Sequence, residues 1–479
     1  MDSKLIAGRR LFLTGATGGV LGFTAAAQLP GRPAVDTNAT LRTDEPSRPS
    51  EVSVRAFGAR GDGQTDDTAA IQTAIDAVSP SGGVVRFETG RYLITATLRV
   101  ASAYPVSLVG EMLGQMHTPA GGSAILVGAA MDFMIEYAAP NLADRSSHGS
   151  GAVVRLAFVD PTSSAAGAPG RHPLTAALHL RDFALGLVEG CTFHWIRGSA
   201  ILTDYAVMTT VKGCRIRYCG DHARPGVSAI RLGGTSRAYT TQSFLIDDCR
   251  IEVCYGKQYI LVAGPSYDVA LRSCFFEAAT TEYPQSSNTF IEFDIDRYSI
   301  EGCTFNRTDA VAAVMRGRGK MIGCHFVNGV GRATSLELSG DRCIVSNCIF
   351  EDNRTGLSID CSGPQCRISD NTFYYSGGVR ITGRGSMFSA NMVANPRMAG
   401  PGWWLDLSAR CVAEGNRFDG NGGTVAVGAI ATRNEDRVAN NSFDRWTGQT
   451  CIGQGDSNST VTGNSFTDVS QPHSHGIIS

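Results

Sequence analysis

From residue 180 to 470 the chain is a series of short apolar runs broken by Gly, Asn or Asp, with no helical periodicity among them. One frame recurs through it. GCTF (190–193), GCRI (213–216), DCRI (248–251), SCFF (273–276), GCTF (302–305), GCHF (323–326) and NCIF (347–350) are followed in step by DNTF (370–373), ANMV (390–393), GNRF (415–418), NNSF (440–443) and GNSF (463–466). The second position is Cys at 191, 214, 249, 274, 303, 324 and 348, then Asn at 371, 391, 416, 441 and 464. Two residues further on stands Phe, Ile or, once, Val, and successive matches lie 20 to 35 residues apart. A period of this length with short β runs predicts a coil of three short strands per turn. Turns stacked about 4.8 Å apart pile like residues on like: an Asn column bonding amide to amide, a Cys column of small apolar contacts, and Phe filling the interior. The handedness of parallel crossovers makes this an all-β fold, a right-handed single-stranded parallel β-helix.

Composition agrees. Gly is 56 of 479 residues and charged residues are only 18%, which suits many strands and turns rather than a helical bundle. Lys+Arg of 42 against Asp+Glu of 44 gives a net charge of −2, so no basic excess is present to drive nucleic-acid binding. After the first thirty positions no apolar run is long enough to span a bilayer, and no membrane partner is expected of the mature chain. Within those positions, Arg9 and Arg10 precede Leu11, Phe12 and Leu13, a Gly-rich stretch, and the small residues Ala25, Ala26 and Ala27. This resembles a twin-arginine export signal over 1–27, and the expectation is a periplasmic or extracellular protein. LFLTGATGGVLG also has the look of a dinucleotide-binding turn. The chain then runs into Pro30, Pro33, Pro46 and Pro49 instead of a second strand with an acidic ribose ligand. Residues 28–50 read as a flexible tether, and 51–479 as the β-helix domain, with 51–100 a cap segment and 180–470 the regular coils.

The ladder also accounts for most of the cysteines. Seven of 14 lie in it, Cys343, Cys366 and Cys411 sit five residues before ladder positions, and Cys219 and Cys254 sit five after. Buried, stacked thiols are expected; the spacings lack the C-x₂-C knuckle of zinc sites, and no metal site is predicted.

Residues 52–94 read VSVRAFGARGDGQTDDTAAIQTAIDAVSPSGGVVRFETGRYLI. AFGARGDGQTDDT, the AIQTAIDA helix and the GGVVRF…GRYLI pair resemble the N-terminal segment of the pectate lyase-like superfamily of β-helix proteins. That superfamily includes polygalacturonase-like hydrolases, rhamnogalacturonases, lyases, epimerases and phage tailspikes. With the ladder, the resemblance covers about residues 52–470. It implies the fold and a carbohydrate-directed role, with calcium a possible cofactor if the reaction is elimination, and it hands over no catalytic set. Asn-Thr-Asp, Gly-His-Gly and Arg-Ile-Lys signatures are missing, as is Arg-x-Pro-x-x-Arg. Asp62, Asp66 and Asp67 read as structural: Thr65 or Asp66 is placed to N-cap a helix starting near Thr68, with Ala70, Ile71, Ala74 and Ile75 packing it over the open end of the coil.

Counting back from each ladder residue locates a site. Twelve before stand Val262, Ile291, Ala312, Leu336, Ile359 and Val379, and ten before stand Gly264, Phe293, Val314, Leu338, Cys361 and Ile381. Both columns are apolar and point inward, so positions eleven and nine before point out. The eleven-before column is Ala263, Glu292, Ala313, Glu337, Asp360 and Arg380; the nine-before column adds Asp294, Met315, Ser339, Ser362 and Thr382. Glu337 and Asp360 are then one turn apart, about 4.8 Å, and Glu292 and Glu337 two turns, about 9.6 Å, with Ala313 as a gap. Inverting glycosidases hold their carboxyls about 6.5–9.5 Å apart and retaining ones about 5–5.5 Å. Neighbouring like charges also favour one group keeping a proton, which suits a general acid. Glu292, Asp294, Glu337 and Asp360 therefore form either a sugar-cleaving centre or a solvated face with an Asp360–Arg380 ion pair. Arg316 and Arg380 are candidates for binding uronate carboxylates. Of Trp403 and Trp404, one is expected to pack inward and the other to offer a platform to a sugar ring. The function expected is cleavage of an acidic, polyuronide-type polysaccharide by hydrolysis or β-elimination; the alternative is a polysaccharide-binding or cell-surface structural β-helix without turnover.

Overall fold

A computed structural model describes residues 50–475, apart from 112–121, 140–148, 164–169, 234–240, 263, 265, 279–288, 307–310, 330–333, 354–355, 397–401, 423–424 and 457. The export signal and most of the tether lie outside the described residues. Three parallel sheets wind into a right-handed β-helix. In a representative turn, Ala313–Met315 belongs to the third sheet, Gly319–Ile322 to the first and His325–Val327 to the second, with the ladder residue Cys324 at the corner between first and second. Strands Pro173–Ala184 and Arg197–Val207 run through the corner between third and first sheets without a break, joining those two into one hydrogen-bonded network. Among the described residues, no helix is long and apolar enough to cross a membrane.

The corners explain the repeated tetrapeptide. Each of the twelve residues preceding the ladder has positive φ, from 50° at Asp248 to 67° at Gly415 and Gly463. That left-handed conformation favours Gly, Asn and Asp, which supply ten of the twelve corners. Behind this corner the Asn column forms as expected. Asn371, Asn391, Asn416 and Asn441 each donate from Nδ2 to Oδ1 of the next Asn at 2.8–3.0 Å, and from Nδ2 to a carbonyl of the preceding turn. Each Oδ1 in turn accepts the backbone N–H of the preceding ladder residue, beginning with Cys348 N–H to Asn371 at 2.9 Å. Phe305, Phe326, Phe350 and Phe373 stack in the interior with centroids 4.7–4.9 Å apart. All fourteen cysteines are buried and free. Burial pushes the thiol of Cys254 up to about 12 and that of Cys411 up to about 11, so both stay protonated at neutral pH. A second column, Gly317, Gly340, Gly363 and Gly383, lines the corner between third and first sheets. There the backbones approach so closely that a Cβ on Gly363 would lie 1.9 Å from the Gly340 carbonyl oxygen.

Helix α1, Thr68–Val78, covers the N-terminal end and buries Ile71, Ala74, Ile75 and Val78, with Ala70 half-buried beside them. Its capping corrects the expectation. The N-cap position falls to Asp67, whose carboxylate turns away to accept the N–H groups of Arg60 and Gly61 at 2.7 and 3.0 Å. Asp66 takes the capping bond instead, accepting Thr68 N–H at 3.0 Å, while Asp62 closes the preceding turn on Gln64 and Thr65. Thr65 does not cap the helix. Those turn bonds hold the Asp62 carboxyl down at about 2.

Candidate functional site

Strand register on the third sheet settles which side chains share a face. Leu261, Glu292, Val314, Glu337, Asp360, Arg380 and Asp406 follow one another in a single column. Two positions differ from the count along the sequence. Val314, not Ala313, stands between Glu292 and Glu337, and Met315 points into the core, fully buried. Leu261 takes the position that the count gave to Ala263, a residue outside the described set. The cause in the Val314 turn is the corner: Gly317 lies seven residues before its ladder Cys324, where Gly340 lies eight before Cys348. One residue fewer shifts that strand by one and reverses its faces. Arg316 then takes the outward position level with Asp294 and Ser339, fixed by Arg316 N–H to Phe293 O at 2.8 Å and Ser339 N–H to Met315 O at 3.0 Å.

The carboxylates differ in what they touch. Glu292 accepts from Gln258 Nε2 at 2.7 Å and pairs with Arg316 at 3.2 Å. Asp360 is held by both arms of the Arg380 guanidinium, with Nε to Oδ1 at 3.0 Å. Asp406, not anticipated, pairs with Arg433 at 3.0 Å. Among the described residues, the carboxylates of Glu337 and Asp294 have no hydrogen bond or ion pair. Asp294 opens onto a cleft of about 610 Å³ edged by Arg297, Arg316, Arg318 and Tyr267. The face thus carries three paired acids, Glu292, Asp360 and Asp406, and two unpaired ones, Asp294 and Glu337. No three of His, Cys, Asp or Glu among the described residues come together as a metal-holding group, and the donor set does not fit calcium.

The tryptophans separate. Trp404 is fully buried against Phe373 and Phe418 and donates to Ser376 O at 3.4 Å; it is the inward-packing member of the pair and cannot serve as a substrate-binding residue. Trp403 lies against Gly428 and Gly453 on the outer face, where a Cβ on either glycine would come within 2.3 Å of the indole. Trp404→Ala is expected to cost about 3–5 kcal/mol of stability. Trp403→Ala should cost far less, as thermal unfolding would show.

Four turns before Glu292 on the same sheet lies a further cluster that the sequence pattern does not reveal. His179 Nε2 lies 3.0 Å from Asp204 Oδ2, its Nδ1 lies 3.3 Å from Glu136 Oε1 outside hydrogen-bonding alignment, and Phe133 stacks on the ring at 4.2 Å. Burial alone would lower the His179 pKa, but Asp204 and Glu136 together outweigh it and raise it. His179 in turn lowers both carboxyls. The raised imidazole stabilises the fold fully below its unfolded pKa of about 6.5, and this is lost as pH rises through the folded value. The depressed carboxyls stabilise above their unfolded values of about 4, and this is lost as pH falls. The stability gap between wild type and His179→Gln in urea unfolding should therefore peak between about pH 4.5 and 6.5 and shrink on either side.

Residues 51–136 match the family "Rhamnogalacturonase A/epimerase, pectate lyase-like", and residues 171–292 and 280–395 match the right-handed β-helix region family. A probable glucan endo-1,3-beta-glucosidase of Arthroderma benhamiae is 34% identical over 91 residues, 17% of this chain and 10% of that protein. Alginate lyase 7 of Azotobacter vinelandii is 52% identical over 46 residues, 9% of this chain and 5% of the other. The chain thus spans a tenth or less of these curated relatives. The N-terminal fragment of bacteriophage Phi29 gene product 12 superposes with a TM-score of 0.55 at 13% identity, covering 88% of this chain and 71% of that one, a likeness of fold.

Proposed function

Since the chain belongs to the pectate lyase-like superfamily of right-handed parallel β-helix proteins, we propose that it is an exported enzyme cleaving an acidic polysaccharide along the outer face of the third sheet. The observation that carries this reading is the column in which unpaired Glu337 faces Asp294 and Glu292 across an apolar gap at Val314. The backbones are two turns apart, about 9.6 Å, close to the carboxyl separation that admits a water in inverting hydrolases. In this reading Glu337 donates a proton to the glycosidic oxygen. Asp294, beside Arg316, accepts one from the attacking water. The Arg316 and Arg380 guanidiniums suit the carboxylates of a polyuronide, and Ser339, Ser362 and Thr382 supply hydroxyls along the same face. The curated relatives named as a glucosidase and a lyase support a carbohydrate-directed role. Because the ion pairs Glu292–Arg316 and Asp360–Arg380 satisfy two of the four acids internally, a binding β-helix without turnover is the second reading.

Incubation with a panel of polyuronides separates these readings. Reducing ends without ultraviolet absorbance mean hydrolysis, both together mean elimination, and neither across the panel means binding alone. Export is proposed from Arg9 and Arg10. Arg9→Lys with Arg10→Lys should leave the full-length precursor in the cytoplasm, and normal appearance of processed protein outside would refute it.

A further inference from the structure

The outward column of the third sheet continues toward the N-terminus from Glu292 through Leu261, Arg231, Leu202, His179 and Glu136 to Arg99. From Glu136 to Glu292 is five turns, roughly 24 Å. Here the face opens into a cleft of about 440 Å³ whose lining includes Arg99, Asp132, Phe133, Glu136 and Arg181. Its two guanidiniums lie farther from a carboxylate than those of Arg316 and Arg433. Arg99 reaches Glu136 only at 3.8 Å and Arg181 reaches Asp182 only at 4.0 Å, whereas Arg316 and Arg433 sit 3.2 and 3.0 Å from their carboxylates. Glu136 is shared: His179 Nδ1 lies 3.3 Å from its carboxylate, nearer than Arg99, and Asp132 is the other acid of the lining. The Arg99 strand is also fixed in place: Gln72 of α1 accepts the Arg99 N–H at 2.8 Å and donates to its carbonyl at 2.9 Å.

We propose that this cleft is a distal subsite for a carboxylate of an anionic polysaccharide, gripped by Arg99 and Arg181 while the same chain is cut five turns away. A guanidinium without a close internal partner matches a carboxylate in planar, two-point geometry. The identity of the ligand rests on the proposed cleavage of a polyuronide; the cleft geometry does not.

The test is calorimetric titration with galacturonate and mannuronate oligomers, each as a trisaccharide, as an oligomer long enough to span both places, and as a carboxyl-reduced long oligomer. Arg99→Gln with Arg181→Gln should weaken the better long oligomer about tenfold or more, leave trisaccharide cleavage unchanged, and hardly affect the reduced oligomer. Glu136→Gln, which removes the competing carboxylate, should tighten the long oligomer, an effect that a merely structural cluster would not give. Wild-type affinity in the double variant, with folding intact by circular dichroism, overturns the subsite. So does equal weakening of the reduced oligomer, or tighter binding of a sulfated oligosaccharide than of either uronate. If nothing in the panel is cleaved but the long oligomer still binds through Arg99 and Arg181, the cleavage reading fails and the subsite stands.

Discussion

Glu337→Gln is expected to lower polyuronide turnover by about 10²–10⁴-fold, the usual contribution of a positioned proton donor. The substitution keeps the shape of the side chain, and Glu337 has no internal partner to lose. Urea unfolding should therefore shift by less than about 1 kcal/mol. Asp294→Asn should match that loss of turnover, as the second unpaired carboxylate. Asp360→Asn should cost less, because Arg380 already holds that carboxylate. Turnover close to wild type in Glu337→Gln would move the chemistry off this column, whatever the other variants did.

Asn416→Ala should cost about 3 kcal/mol or more of folding stability. The Asn416 amide donates to Phe388 O at 2.9 Å and to Asn441 Oδ1 at 2.8 Å, and its oxygen accepts both the backbone N–H and the side-chain amide of Asn391 at 2.9 and 3.0 Å. Alanine strips all four bonds and strands their partners where water does not reach, and burying an unpaired polar group is expensive. Asn416→Asp returns the acceptor oxygen but replaces the donating amide with a charge, so it should not rescue. An unfolding midpoint unmoved in both variants would contradict the ladder bonds.

Much of the fold was legible because every corner states it again. A left-handed residue, a small ladder side chain and, two places on, Phe at nine corners and Ile or Val at three recur through all twelve, so chance resemblance at one of them hardly matters. The site was legible only in part. Counting from the ladder assumes corners of one length, and the turn carrying Val314 breaks that assumption by a single residue, which exchanges Met315 for Arg316 on the outer face. The His179 cluster escaped for a related reason. Pro173–Ala184 and Arg197–Val207 have no corner between third and first sheets, so an offset learned elsewhere misplaces their side chains, and only pairing with Glu136 and Leu202 restores them. Trp403 and Trp404 are adjacent in sequence and sit in different environments, a distinction set by the bend where the chain enters the third sheet.

The turn containing Val314 acts as a ruler. Each turn bonds to the turns above and below it, so excising the ladder-to-ladder segment 303–323 in a redesigned gene would bring the Glu292 strand directly onto the Glu337 strand. Their separation would fall from about 9.6 to about 4.8 Å, the spacing of a nucleophile and its acid rather than of two groups with a water between them. In the proposed reading, stereochemical outcome in such a solenoid is a whole-number property: the count of turns between the Glu337 strand and the strand carrying its partner carboxylate would select inversion or retention.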